Sequence, residues 1–279
     1  MSGGGKLKKS ALVKSHNATC ECEICRLKKP FSMPEQLTDQ YIEGNLVIFA
    51  GAGISTESDE VLKETLYERL SWKYDNKDYH LDFPQLMQSI ESLPDGRLKL
   101  LSEIQERFEY IRSFPELYRA ATRFHRALAT LWKIDTIITT NWDDFFEREC
   151  NAIPFVSGED MAFWDAAERR VLKIHASYQS YGSIIATSGD YKRARKGLTK
   201  GVLGAQLKVH LATKSVVFVG YSLRDHDFLD LYRIVSKELG SLKRQAYVVT
   251  PIASSDDELR FSKIGLKEPL NNCCFFALF

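Results

Sequence analysis

Several features that would assign this chain of 279 residues to a class of protein are absent from it. No apolar run approaches the roughly 18 residues needed to span a bilayer, and the lysine-rich start lacks the apolar stretch of a secretory signal. We therefore predict a cytoplasmic protein with no membrane partner. Neither sign of charge dominates, because 38 basic residues are balanced by 37 acidic ones. No overall field favours nucleic acid, so we predict no direct nucleic-acid binding.

A disulfide framework is also missing. The six cysteines are not scattered evenly, as they are in secreted disulfide-rich domains. Three of them lie close to a histidine in a basic N-terminal segment, which we place at residues 1–34. The four side chains are enough in kind and number for one tetrahedral structural zinc ion. The Cys-x-Cys step is tight for the geometry of a zinc site, so ordinary reduced thiols in a flexible tail are the alternative, and the sequence leaves both open. The candidate ligands are His16, Cys20, Cys22 and Cys25.

The rest of the chain alternates apolar runs with helical patterns, which predicts an α/β fold. The near-continuous apolar runs at residues 45–50 and 215–220 are typical of parallel strands covered on both faces. We predict one domain over residues 35–279, a Rossmann-like parallel sheet with helices on both faces. Further strands are predicted at 135–140, 153–157, 170–175, 183–187 and 245–252, and helices at 35–43, 143–150 and 203–212.

The stretch at about residues 59–133 has a helical pattern throughout. From Leu117 to Leu131 apolar residues recur at steps of four and three. Proline or glycine interrupts the pattern at Pro84, at residues 94–96 and at Pro115. We predict an all-helical insertion of three or four helices.

Polar or glycine-rich turns follow four of the predicted strands. Carboxyl ends of parallel strands meet at one edge of the sheet, where open α/β sheets bind their ligands. A glycine-rich turn before a helix also lets backbone amides approach phosphate oxygens. Each turn has a purely structural alternative, such as a tight backbone turn or a helix cap. The turns are Gly51-Ala52-Gly53-Ile54-Ser55, Thr139-Thr140-Asn141-Trp142-Asp143, Lys173-Ile174-His175-Ala176-Ser177 and Gly220-Tyr221-Ser222.

Three side chains in these turns have chemistry suited to a nucleotide substrate. The Asn141 amide can orient a water molecule or a ribose hydroxyl, and the Asp143 carboxylate can bind a carboxamide or hold the asparagine in place. His175 can accept a proton from a ribose hydroxyl or from water near neutral pH. Taken singly, each of these residues has a structural explanation that is the more common case, a helix cap for Asn141 or Asp143 and a hydrogen-bonded structural histidine for His175.

In this order, the motifs resemble the sirtuin-like (Sir2-like domain) NAD hydrolases of bacterial antiphage defence. The resemblance runs from about residue 45 to residue 252, and it implies that Asn141 and His175 are catalytic. One departure is Ala176, where the family often has glycine. The NAD site implied by the resemblance is lined by Gly51, Ala52, Gly53, Ser55, Thr140, Asp143, Gly220 and Ser222.

The resemblance further implies an NAD glycohydrolase that releases nicotinamide and ADP-ribose. It implies a homo-oligomer with an activating partner, such as a HerA-type ATPase or an Argonaute-like module. A non-catalytic NAD or ADP-ribose sensor is the alternative. Sirtuin deacylases usually carry two cysteine pairs after the catalytic histidine, and no cysteine occurs between His175 and Asn272. A protein deacylase is therefore disfavoured.

Overall fold

The computed structural model describes residues 33–74, 81–221, 226–250 and 270–271. Six strands of three to five residues form one parallel sheet, which the two-residue strand β7 extends at one edge. The order across the sheet is β3-β4-β2-β1-β5-β6-β7. The α/β prediction is confirmed. The strands are Leu46–Ala50 (β1), Thr136–Thr139 (β2), Ile153–Phe155 (β3), Arg170–Lys173 (β4), Ser215–Val219 (β5), Ala246–Thr250 (β6) and Leu270–Asn271 (β7).

Ten α-helices lie within the described residues, and none of them combines the length and apolar character needed to cross a membrane. Five of the helices separate β1 from β2. The helices are Glu35–Ile42 (α1), Leu66–Lys73 (α2), Phe83–Glu91 (α3), Gly96–Ser113 (α4), Pro115–Ala121 (α5), Arg123–Ala129 (α6), Phe145–Cys150 (α7), Ser188–Lys200 (α8), Val202–Thr213 (α9) and His226–Leu239 (α10).

Strand β1 lies in the middle of the sheet, and all five of its residues are buried. Val47 and Phe49 pack in one cluster with Leu207 of α9 and Phe228 of α10. The alternate residues of the strand pack in a second cluster, with side chains of α1, α6 and α7. Successive side chains of a strand point to opposite faces, so two helical layers require an apolar residue at every position. This requirement explains the uninterrupted apolar run.

The helices between β1 and β2 number five in the described residues, more than the three or four predicted. The apolar pattern from Leu117 to Leu131 suggested continuous helix, but the backbone leaves the helical region at Thr122, between α5 and α6. The Thr122 hydroxyl donates to the Tyr118 carbonyl oxygen at 2.8 Å. A threonine that bonds back to the preceding turn bends or ends a helix. The division of the chain into an N-terminal segment, a domain and an insertion stays a prediction.

The strand predicted at residues 183–187 is wrong. Residues Tyr181–Ser183 form a short 3-10 turn, and Ile184 and Ala186 pack among helices α2, α3 and α4 rather than in the sheet. The apolar residues of this segment are buried as predicted, but their partners are helical. The segment leads into α8, which begins with a capping box between Thr187 and Asp190.

Candidate active site

Four turns meet at the carboxyl edge of the four central strands. They follow β1, β2, β4 and β5, and these strands are direct neighbours in the order β4-β2-β1-β5. From β1 the chain proceeds to β2 on one side, whereas β5 pairs with β1 on the other side. A change of direction at a central strand opens a crevice between the turns, where ligands bind in sheets of this kind. The fold thus brings the predicted turns together.

The glycine-rich turn after β1 lies directly against the turn after β5. The amides of Gly51 and Gly53 donate to the carbonyl oxygens of Val219 and Gly220, each at 3.0 Å. A Cβ atom at Gly51 would lie 2.5 Å from the Gly220 oxygen, and Gly220 itself has φ +58°. Close packing of the two backbones therefore explains why all three of these positions are glycine. These two backbone amides, which we expected to contact a phosphate group, instead donate hydrogen bonds to main-chain carbonyl oxygens of the protein. Contact of this turn with NAD stays a prediction.

Ser55, Asn141 and Asp143 form one buried polar cluster. The Ser55 hydroxyl donates to Asp143 Oδ2 at 3.2 Å. The Asn141 side-chain amide lies 3.4 Å from the Gly51 carbonyl oxygen and 3.5 Å from Ser55 Oγ. Asn141 Oδ1 is buried and has no hydrogen-bond partner among the described residues. An unpaired buried acceptor is costly, so this atom is suited to a ligand that donates a hydrogen bond.

Asp143 makes the helix-cap contact weighed from the sequence, and its role toward Asn141 or a carboxamide stays a prediction. Its Oδ1 accepts from the Phe145 amide at 3.2 Å, as a cap of α7, while its Oδ2 accepts from Ser55. Burial raises the pKa of Asp143 from 3.8 to about 6, although the nearby Lys173 ammonium opposes the rise. The carboxylate is thus costly to ionise at the bottom of the crevice.

His175 lies in the turn after β4 and is buried. Its Nδ1 atom is 3.4 Å from the Tyr191 hydroxyl, and the two rings meet edge to face at a centroid distance of 5.0 Å. The next residue, Ala176, has φ +70°. Glycine adopts this left-handed conformation most easily, which gives a physical reason for the glycine that the resemblance suggests there.

The remaining predicted site residues are placed as follows. The Thr140 amide donates to the Ala50 carbonyl oxygen at 3.4 Å and joins the turns after β1 and β2. Ala52 begins a 3-10 turn that ends at Ile54. Ser222 and the four candidate zinc ligands lie outside the described residues. Within the part of the chain that the structure describes, no group of three or more His, Cys, Asp or Glu side chains could hold a metal ion.

Three arginines on helix α4 contact the segments around the site, and they were not predicted from the sequence. Arg97 donates to Asp190 and the Ile184 carbonyl, Arg107 to the carbonyls of Thr56 and Glu64, and Arg112 to Asp144 and the Tyr178 hydroxyl. One signal was available for Arg107, which falls among Leu100, Ile104, Phe108 and Ile111 on the buried side of the helix.

Comparison with known proteins finds similarity to one family model and to two named relatives. The family model described as a SIR2-like domain matches residues 135–268, a span that includes Asn141 and His175. Defense-associated sirtuin 2 of Bacillus subtilis is 24% identical over 220 residues, covering 73% of this chain and 20% of the relative. The NAD(+) hydrolase ThsA of Cytobacillus dafuensis is 25% identical over 240 residues, covering 80% of this chain and 46% of the relative.

The chain thus spans about a fifth of the length of one of these relatives and less than half of the other. Residues 135–268 of the chain are thus similar to a SIR2-like domain.

Proposed function

We propose that the chain is an NAD glycohydrolase, which breaks the bond between nicotinamide and ribose and so depletes NAD during antiphage defence. The names of both relatives support this function, one by its reaction and the other by its role in defence. The observation that carries the proposal is the buried Asn141 amide, which has an unpartnered Oδ1 among the described residues and lies beside Ser55 and Asp143.

The proposed reaction is a hydrolysis. The bond from the ribose carbon to the nicotinamide nitrogen breaks, its electron pair leaves with nicotinamide, and the sugar passes through an oxocarbenium-like state. Water then attacks the sugar carbon and gives a proton to His175. The product of this step is ADP-ribose. Asn141 orients the water or a ribose hydroxyl, and Asp143 accepts a hydrogen bond from the carboxamide. Positioning of this kind supplies much of the rate enhancement of enzymes.

Chromatography of NAD breakdown products tests the proposal. Asn141→Ala and His175→Ala should each lower NAD turnover at least about 100-fold, because each removes a group from the reacting centre. The matched control is His210→Ala, which removes another buried imidazole, from α9, where it contacts Gln206 and Trp164. Unchanged turnover in both site variants would contradict the assignment. NAD recovered intact but bound would favour the sensor, and nicotinamide release only with an acylated peptide would indicate a deacylase.

The proposal includes an oligomeric state, an activating partner protein and a structural zinc ion. We propose a cytoplasmic homo-oligomer that is activated by a second protein, such as a HerA-type ATPase or an Argonaute-like module. The NAD assay should therefore be run with and without the product of the neighbouring gene. A structural zinc at His16, Cys20, Cys22 and Cys25 stays a prediction.

A further inference from the structure

Lys173, the last residue of β4, has a side chain with no exposed surface. Lysine is almost never buried to this extent unless its charge is paired. Its ammonium donates to the main-chain carbonyl oxygen of Asp143 and, at 2.8 Å, to Glu147 Oε1 on α7. The lysine thus binds the turn after the neighbouring strand β2 as well as a carboxylate.

These contacts connect the segments that carry the two candidate catalytic residues. Lys173 lies two residues before His175, and Asp143 lies two residues after Asn141. In the sheet, Lys173 pairs with Thr139, the last residue of β2. A main-chain hydrogen bond of 3.0 Å from the Tyr178 amide to the Trp142 carbonyl joins the same two turns farther from the sheet. The ammonium therefore fixes one turn relative to the other at the base of the crevice.

Stability alone does not account for a charged side chain at this position. Replacing a buried ion pair by well-packed apolar residues often leaves stability unchanged or raises it. The neighbouring strand residues Val171 and Leu172 are apolar and fully buried, so the sheet has no need of a charge here. Burial raises the pKa of Glu147, the partner of Lys173. Burial also lowers the pKa of His125 to about 3, and the charge of Lys173 adds to this effect. What the charge provides is a directed bond to one particular carbonyl group.

We propose that Lys173 is a positioning residue, whose buried ammonium holds the Asn141–Asp143 turn in register with His175 so that both act on one substrate. This inference rests on the proposed NAD hydrolysis. Lys173 itself does not touch the substrate. Its loss should lower kcat rather than raise KM, because the binding groups of the other turns are retained.

The experiment compares three variants. Lys173→Met keeps the length of the side chain and removes its charge and donors. Lys173→Met combined with Glu147→Leu also removes the carboxylate left unpaired. Glu103→Gln is the control, since Glu103 is a buried carboxylate of another ion-pair cluster, with Arg69 and Lys73. For each variant, kcat, KM, melting temperature and amide hydrogen exchange at residues 140–145 are measured.

We expect Lys173→Met to lower kcat about 100-fold, the loss typical of a misplacement of about 1 Å. Exchange at residues 140–145 should become faster. The double variant should regain melting temperature but not kcat, and Glu103→Gln should lose melting temperature without losing kcat. Wild-type kcat in either lysine variant, or unchanged exchange at residues 140–145, would overturn the inference. If the wild-type chain hydrolyses no NAD even with its partner, the proposed function fails, and the exchange measurement still decides the role of Lys173.

Discussion

Asp143 is a single residue whose ionisation makes the stability of the protein depend on pH. Its pKa of about 6 in the folded protein exceeds the ordinary value of 3.8 because the carboxyl group is buried. A raised pKa means that folding gains stability below about pH 4 and loses that gain as the pH rises through 6. The difference corresponds to roughly 3 kcal/mol of folding free energy at neutral pH. At neutral pH the ionised Asp143 carboxylate thus lowers the stability of the fold, a cost that is common at functional sites.

We therefore expect Asp143→Asn to raise the free energy of unfolding at pH 8 by up to about 3 kcal/mol, with no gain near pH 4. Urea unfolding at several pH values measures this difference. Asp144→Asn is the matched control. Burial opposes ionisation of Asp144, but hydrogen bonds from Arg112 and Arg148 lower its pKa overall. Its replacement should destabilise the protein at pH 8. A loss of stability at pH 8 in Asp143→Asn would contradict this account.

Ala176 provides a second test at the residue scale, because its φ of +70° is unfavourable for any side chain. Ala176→Val should lower the free energy of unfolding by more than about 1 kcal/mol, since a β-branched residue fits this conformation poorly. In Ala176→Gly the relief of strain offsets the lost methyl group and the added chain entropy, so stability should stay within about 1 kcal/mol of wild type. Thermal and urea unfolding measure both variants. Equal stability of Ala176→Val and Ala176→Gly would mean that the backbone at residue 176 can leave the left-handed conformation, and would contradict this account.

The sequence was informative about residues that end strands. Asn141 and Asp143 follow a buried apolar run, and this position alone predicted that they meet Ser55 at one sheet edge. The hydrogen bonds of the Gly51 and Gly53 amides could not be predicted in this way. They depend on which turn lies opposite, and that is decided by the pairing of β1 with β5.

At the scale of elements, helix α4 acts as a common support for the segments around the site. Arg97, Arg107 and Arg112 reach from this one helix to the segments after β1, β2 and β4. Arg107 is nearly fully buried and also pairs with Glu57 at 3.1 Å. Because each segment is held by charged hydrogen bonds to α4, their relative placement depends on this helix.

We expect Arg107→Met to lower the free energy of unfolding by about 3–5 kcal/mol, because it removes the cation paired with Glu57 and the donor to the carbonyl groups of Thr56 and Glu64. Urea unfolding measures the loss, and faster amide exchange at residues 56–64 localises it. The control is Arg119→Met, which breaks an exposed pair with Glu116 and should change stability by less than about 0.5 kcal/mol. Equal effects of the two variants would show that the Arg107 contacts are weak.

Elements with a clear apolar period were predicted well, and those without one were not. The central strands were placed within one or two residues of their observed bounds. Helix α8 was missed because its sequence from Ser188 to Lys200 is mostly polar and has only one buried apolar residue, Leu198. Residues 183–187 were mistaken for a strand because burial against helices and burial in a sheet give the same short apolar pattern.

At the scale of the whole molecule, NAD should stabilise the fold. A ligand that binds only the folded state adds about 2.7 kcal/mol at 100 times its dissociation constant. For a chain of this size we expect a rise of about 5–10 °C in melting temperature. The measurement uses His175→Ala, so that NAD is not consumed, and ATP at the same concentration as the control ligand. An equal shift with ATP, or no shift with NAD, would contradict a dinucleotide site.

The sheet and its two helical layers were predictable because doubly buried strands read as continuous apolar runs. The order of the strands was not, since apolar runs identify strands but not their neighbours. The contact between the turns after β1 and β5 joins segments that are far apart in the chain, and no local pattern indicates it.

The pairing of β1 on both of its edges has a consequence for biosynthesis. Ile48 aligns with Ile137 on one side and with Val217 on the other. A ribosome that adds about 5–20 residues per second needs roughly four to sixteen seconds to proceed from the first of these partners to the second. During that interval the nascent chain has an open, apolar sheet edge at its centre, so efficient production in cells should depend on chaperones that shield it.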